Sequence, residues 1–551
     1  MSASSTRSEP WDAIVVGGGH NGLVTAAFLA RAGLRTIVLE ARDRVGGAAE
    51  TTELTPGVRV PTLAHTVGRI RPSVVRDLGL RRHGLTLVAP AVRAFAPQPD
   101  GSAITLWGDA RRTAAELQDR SPADAAAWLG FDARVTAFGR LLGRLGSMTP
   151  PDLGDPSALD LVGAIRTLRA YRNLGRQDAR ALLRILPTAV RDLADDVFQA
   201  DALRALVVAR GVMFTAMGPR SAGTSAVLLT DSAGNDGGAA GQTVYARGGS
   251  GAVAAALESA ARAFGAEIRT GARVVRITSD DDVVTGVVLS SGEALRAPVV
   301  VSGVDPRQTL TRLVDPVAIG PTLRWRAGNI RSPGMTAKVN LALAGLPRFP
   351  AAGEEWDARL RGRIVLAPSV EALDRAFDAA KHGSLPEAPL LEATIPSLVD
   401  ETLVNEPGGD PTRGPQAMSV IVHYVPYRLR EGDWDGRRDE LGDLVVRVLE
   451  GYAPGIGDLV TARQVITPLD LERDYGLPEG HPFHAEPGLD QWFAWRPLLG
   501  HARYRFGLRG LYLCGSGAHP GGGVTGGPGE NAAREILADR GRGRGRRGSQ
   551  P

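Results

Sequence analysis

At 551 residues the chain is too long for one hydrophobic core, so two or more intertwined domains are expected. Its formal charge of +4 at pH 7 falls to −1 once the five arginines of 540–551 are set aside, so basicity is confined to one end and nucleic acid is not an expected partner. Cys514 is the single cysteine, which excludes an intramolecular disulfide, a redox-active cysteine pair and a thiolate metal cluster. No metal site is expected either, because the nine histidines show no H-x-x-x-H or H-E-x-x-H spacing.

Residues 1–10 are polar and serine-rich, and read as a disordered N-terminus rather than a secretory signal or an anchor. No run of about 18 apolar residues occurs, so nothing in the sequence spans a bilayer. The expected location is cytoplasmic, with a peripheral contact to a membrane surface left open.

Residues 13–16 are an apolar run suited to a buried parallel strand, and Gly17, Gly19 and Gly22 then fit G-x-G-x-x-G. The first glycine permits a sharp turn, the second a close backbone approach to a pyrophosphate, and the third tight helix–strand packing. A helix follows whose free N–H groups and partial positive charge face the phosphates, with Gly18, His20 and Asn21 in the same turn. Ala26, Ala27 and Ala30 keep this helix close to the sheet, and Gly33 is placed to cap it. Residues 36–39 read as the second strand, and Glu40 follows it, where a carboxylate takes ribose hydroxyls and repels a 2′-phosphate. That order describes an adenine dinucleotide site for FAD or NAD rather than NADP. Gly46 and Gly47 then free the backbone to wrap the pyrophosphate again, with Arg42 or Arg44 to neutralise it.

Residues 56–90 alternate short apolar pieces with proline and glycine and read as loops. Residues 111–210 are helical in pattern, with Leu182, Leu183, Leu186, Val190 and Leu193 on one stripe that reads as core or as a membrane-facing or lipid-tunnel surface. Met213, Phe214 and Met217 either line an apolar cavity or pack. From 242 to 302 regular α/β structure returns: a helix with Val253, Ala256, Leu257, Ala260 and Phe264 on one face, stopped by Gly265, then strands at 267–269, 272–278, 283–289 and 299–302. No second G-x-G-x-x-G occurs, so a NAD site beside the first is not expected. A second insertion from 305 to about 500 carries strand patterns at 336–342 and 417–425 and loops at 347–356 and 406–415. Last comes a strand at 510–513 running into glycines, and then a helix through Leu537 with Pro528 in its first turn.

Two stretches carry a resemblance. E-A-R-D-R-V-G-G after G-G-G-x-x-G, and G-L-Y-L-C-G-S-G-x-H-P-G-G-G-V preceded by D-Q-W-F-A-W-R-P, are similar to the phytoene/carotenoid desaturase-like branch of the flavin amine oxidase superfamily, over 11–537. The resemblance implies an α/β, Rossmann-like FAD-binding domain from 11–75, 243–308 and 500–538, and a discontinuous α+β substrate domain from 76–242 and 309–499. The Arg/Gly tail at 539–551 reads as disordered. FAD is the implied cofactor, with Val274 on the adenine and Gly515, Ser516, Gly522, Gly523 and Val524 against the flavin. Many members carry arginine after the double glycine; Ala48 stands there in this chain.

The resemblance further implies an apolar, isoprenoid-like substrate that gives a hydride to the flavin, with oxygen or a quinone as electron acceptor. His481, His484 and His519 are weak candidate bases by position, and each reads more readily as a loop histidine held by backbone bonds. Trp492, Phe493 and Trp495 wall a substrate slot or fill core; Arg496 and His423 are weaker candidates. An amine oxidase, which calls for an aromatic pair beside the flavin and an amine-sized pocket, and a non-catalytic flavoprotein regulator are the competing readings. Oligomeric state is left open.

Overall fold

The computed structural model describes residues 10–152, 158–404 and 414–547, so the loop expected at 406–415 lies mostly outside the described residues. Ala13–Val16 is apolar toward both faces, as the middle of a helix-covered parallel sheet requires. It is the central strand of a five-stranded, all-parallel sheet ordered Leu511–Leu513, Val300–Ser302, Ala13–Val16, Thr36–Leu39 and Glu267–Arg269. Helix His20–Arg31 covers it and packs on helices Gly251–Ala263 and Gly527–Arg547. The Thr25 hydroxyl donates to the Gly529 carbonyl at 3.1 Å, and a Cβ on Gly529 would collide with the Asn21 carbonyl. Absent side chains therefore let the first and last helices touch, which brings the two glycine-rich turns into one layer.

A seven-stranded mixed sheet forms the second body. Its order is Val460–Ile466, Thr336–Leu343, Gln416–His423, Leu390–Thr394, Arg363–Leu366, Val92–Pro97 and Ala103–Trp107. The two insertions meet inside it, where Val92–Pro97 runs parallel to Arg363–Leu366. Period-two alternation gives the sheet unlike faces. Val339 and Leu341 pack with Leu441, Val445 and Leu449 of helix Trp434–Glu450. Lys338 and Asn340 point the other way, to His65 and to the Thr62 carbonyl on the nucleotide side. A polar sheet face is thus laid against the glycine turns. Among the described residues no helix is long and apolar enough to cross a membrane.

Several expectations need correction. The stretch at 56–90 is not loop alone: Val58–Pro61 pairs back on Thr51–Thr55, and Pro72–Asp77 is helical. The helical stripe breaks after Ile185, and Leu183 is 63% exposed although Leu182, Val190 and Leu193 are buried. The nucleotide-side core runs past 75 and 308, since Leu78, Leu80 and Leu85, then Leu310, Val314 and Ala327, belong to it. The tail is helical to Arg547 instead of disordered from 539; residues 548–551 lie outside the described residues. Extending a formed helix adds one hydrogen bond per residue without a new nucleus, and Arg540 ties it down by donating to Asp12 Oδ1 at 2.8 Å.

Candidate functional site

One cavity of about 640 Å³ lies between the parallel sheet and the polar face of the seven-stranded sheet. That volume is in the range of small-molecule and cofactor sites. Its first end is the turn after Ala13–Val16. Gly17 takes φ +97°, a conformation open to glycine, and reverses the strand into helix His20–Arg31, whose first N–H groups face the cavity. Glu40 leaves the end of the second strand and folds back: Oε2 accepts the Gly18 N–H at 2.7 Å and Oε1 the Arg42 N–H at 2.9 Å. Arg42 donates twice to Glu50, at 3.0 and 2.8 Å, and lies over the Tyr475 ring. Its Nη1 is buried without a partner, as is Asn21 Oδ1.

The C-terminal glycine turn closes over this end. His20 Nε2 lies 3.1 Å from the Gly523 carbonyl, and Asn21 Nδ2 donates to Ser516 Oγ at 3.5 Å, joining residues about five hundred positions apart. Arg496 braces the turn, donating Nη2 to the Ser516 carbonyl and to the Phe483 carbonyl, each at 2.7 Å. Its donors are spent on backbone, so it positions the loop rather than taking a substrate.

The structure brings together most of the residues singled out in the sequence. Gly17, Gly19, His20, Asn21, Gly22, Glu40, Arg42, Gly47, Val274, Gly515, Ser516, Gly522, Gly523 and Val524 line this single cavity, with His484, Trp492 and Arg496. Free helix N–H groups, an orphaned buried guanidinium nitrogen and a carboxylate at the end of the second strand are the donor and acceptor set that a dinucleotide requires. Glu40→Ala leaves two N–H groups unaccepted and removes the ribose acceptor. FAD binding is expected to weaken about 10- to 100-fold, read from quenching of flavin fluorescence on titration.

Other candidates do not face the cavity. Gly18 turns its N–H to Glu40, and Gly46 gives its own to the Gly18 carbonyl at 2.9 Å, so both support the turn from behind. Arg44 is half-exposed and pairs with Asp43 and Glu50. Trp495 is 48% exposed outside. His519 Nε2 lies 3.0 Å from the Leu145 carbonyl, and His481 Nδ1 accepts the Phe483 N–H at 3.1 Å. Met213 and Phe214 reach the cavity, whereas Met217 does not. Burial pushes His481, His484 and His519 down to about 3, so each is neutral at neutral pH and a feeble base. Cys514 is buried, its thiol pushed up to about 12.

The sequence reading missed the opposite wall. Lys338 and Glu392 flank Ile421 on adjacent strands and share its face. His65 sits between them: Lys338 Nζ is 3.1 Å from Nδ1, and Nε2 is 3.1 Å from Glu392 Oε1. The Glu392 carboxylate can only accept, so Nε2 of the neutral ring carries the proton and donates it; Nδ1, which also lies 3.3 Å from the Ser419 carbonyl, is then left to accept from Lys338. Arg363 completes the row, donating to Glu392 Oε2 at 2.8 Å. Burial raises the Glu392 carboxyl, but Arg363 and His65 outweigh it and hold it at about 2. His65 is lowered to about 4, first by burial and then by Lys338. Burial brings Lys338 down to about 7 against the pull of Glu392. The cavity therefore holds an amine that takes and gives a proton near neutral pH. Lys338 is one of only two lysines in the chain, set in a strand with no other charged residue, and that oddity was the one available signal.

Comparison with known proteins agrees with this geometry. The family model for flavin containing amine oxidoreductase matches residues 22–537. The pyridine nucleotide-disulfide oxidoreductase domain-containing protein 2 of Rattus norvegicus is 34% identical, over 96% of this chain and 94% of its own length. A phytoene desaturase (neurosporene-forming) of Cereibacter sphaeroides is 28% identical, over 98% and 96%. A solved putrescine oxidase variant shares the fold at TM-score 0.60 and 15% identity, covering 96% of this chain and 98% of its own. On the match across nearly its whole length, and on a cavity that suits the dinucleotide, this chain belongs to the family of flavin-containing amine oxidoreductases and uses FAD.

Proposed function

We propose that the protein is a dehydrogenase or desaturase that takes a hydride from a C–H bond of an apolar, isoprenoid-like substrate, with oxygen or a quinone as the final acceptor. Bound FAD supplies the hydride acceptor. The observation carrying the reading is that the dinucleotide cradle and Lys338 line one cavity, together with Met213, Phe214, Val227, Phe483 and Trp492. Removing a hydride from one carbon leaves a proton to be taken from its neighbour. Neutral Lys338 is the group suited to accept that proton at Nζ, and the hydrogen bond to His65 and on to Glu392 holds the amine toward the cavity.

The amine oxidase reading fits less well. Among the residues lining the cavity Arg69, Arg210 and Arg363 stand against Asp231 and Glu392, so positive charge exceeds negative even with Lys338 neutral, a balance that disfavours a cationic substrate. Phe214 and Phe483 pack on each other at 4.9 Å and 50°, rather than standing apart as two walls of an amine slot.

Anaerobic mixing of the FAD-loaded protein with a polyene or terpenoid alkene and, separately, with aliphatic amines separates the readings. Bleaching of the flavin bands by the hydrocarbon alone is expected. Bleaching by amines alone transfers the protein to the competing class, and no bleaching by either refutes both oxidase readings in favour of a non-catalytic flavoprotein or a redox-neutral isomerase.

A further inference from the structure

We propose that the helical hairpin of Ala158–Arg172 and Gly175–Ile185 is a docking surface for an anionic membrane, on which the protein lies without crossing it. This inference stands apart from the redox reading. Of the eleven strongly exposed large apolar side chains among the described residues, five lie on these two helices. Leu161, Ile165 and Leu168, exposed by 57, 53 and 56%, follow one another at spacings of four and three residues and so form one line along the first helix; Val162 stands beside them.

This stripe is not a core face left half covered. The inward side of the helix is already satisfied: Ala170 is buried, and Thr167 donates to Met148 Sδ at 3.3 Å. The outward stripe is additional apolar surface, and a helix that is apolar on its solvent side marks an interaction site.

Charge decides what covers it. Arg166, Arg169 and Arg172 are exposed on the helix that carries the stripe and Arg176 and Arg180 on the next one, and none of the five pairs with a carboxylate among the described residues. Both acids described on the hairpin are neutralised by arginines of the body, Asp160 by Arg503 at 2.8 Å and Asp178 by Arg134 at 3.1 Å. An apolar line bordered by unpaired arginines matches acyl chains beneath anionic headgroups. A second copy of the chain would set arginine against arginine. A nucleic acid would leave the leucines unused. The segment 492–503 also ties this face to the site, since Trp492 and Arg496 line the cavity and Arg503 holds the hairpin.

The test is flotation of the full-length, FAD-loaded protein with vesicles of phosphatidylglycerol or of phosphatidylcholine. Binding to the first and not the second is expected, weakening as salt rises. Arg169→Gln with Arg172→Gln is expected to weaken partitioning about 25-fold, at about fivefold for each charge. Ile165→Gln with Leu168→Gln is expected to weaken it at least about tenfold. The flavin spectrum and melting temperature of each variant, expected to match the parent because all four side chains are exposed, exclude misfolding as the cause. No binding to phosphatidylglycerol at low salt overturns the proposal. So does binding that neither variant alters, or equal binding to a DNA duplex that ignores the Ile165 and Leu168 changes. A dimer abolished by those two changes, with no vesicle binding, assigns the face to a second copy and overturns it as well.

Discussion

Gly22→Ala is expected to yield a colourless protein that takes up no FAD, with a melting temperature well below that of the parent stripped of cofactor. A Cβ at position 22 would sit far inside contact distance of the Gly17 carbonyl oxygen, with the Gly17 carbonyl carbon and a Val15 methyl next in line. None of these atoms ends a flexible side chain. Gly17 is the left-handed residue that makes the turn, its N–H is bonded to the Leu39 carbonyl at 2.8 Å, and Val15 sits inside the central strand. Only the turn itself can move, and moving it unmakes the N–H cradle. Overpacking of this kind costs about 1–3 kcal/mol in a yielding core and more against backbone. Gly19→Ala is the matched control, because nothing lies within 4 Å of a Cβ there. It is expected to fold and melt normally but to hold FAD more weakly, since the methyl projects where the pyrophosphate backbone must approach. The flavin-to-protein absorbance ratio and the melting curves of the cofactor-free forms decide both. A yellow Gly22→Ala protein of ordinary affinity would refute this account of the turn.

The nucleotide half was legible because its chemistry is local. Gly17, Gly22 and Glu40 belong to one strand–turn–helix–strand unit, and a periodic pattern with fixed offsets places them without knowledge of the rest. Local reading fails where two residues share a motif but leave it in opposite directions. Arg42 and Arg44 are two apart, and only the packing shows that the first turns to Glu50 and the cavity while the second stays half in solvent. It fails again for histidines chosen by their closeness to the last glycine turn. His519 is in that turn, yet its ring faces away from the cavity, to Leu145, 374 residues earlier. The opposite wall had no local signature. Lys338 and His65 are 273 residues apart, and His65 and Glu392 are 327 apart, so no spacing rule joins them. Helical periodicity likewise put Leu183 on one stripe with Leu182, Val190 and Leu193, whereas the helix ends two residues later and Leu183 alone of these four is left outside.

Lys338→Met should slow anaerobic flavin reduction about 10²- to 10⁴-fold, the usual worth of a positioned proton acceptor, while FAD stays bound with its ordinary spectrum. The lysine sits in the wall opposite the glycine turns, so its loss leaves the cradle whole. In the parent protein the reduction rate is expected to rise with pH through about 7, where the buried ammonium gives up its proton and becomes a base. Glu392 is the group that pulls that value upward, so Glu392→Gln is expected to move the rise to lower pH. Stability offers a readout independent of turnover. Burial lowers Lys338 from 10.5 to about 7 in the folded protein. Between those values the unfolded chain keeps a proton that the folded chain has lost, so stability gains with rising pH over that window. In Lys338→Met this contribution is absent, and above neutral pH the difference between the two unfolding free energies should vary only over that window; a second, acid-side variation is expected where His65, which Lys338 holds down, titrates. A Lys338→Met protein that is reduced at the parent rate, or a reduction rate that is flat across neutral pH, would remove Lys338 from the chemistry and leave it a buried strut between His65 and the sheet.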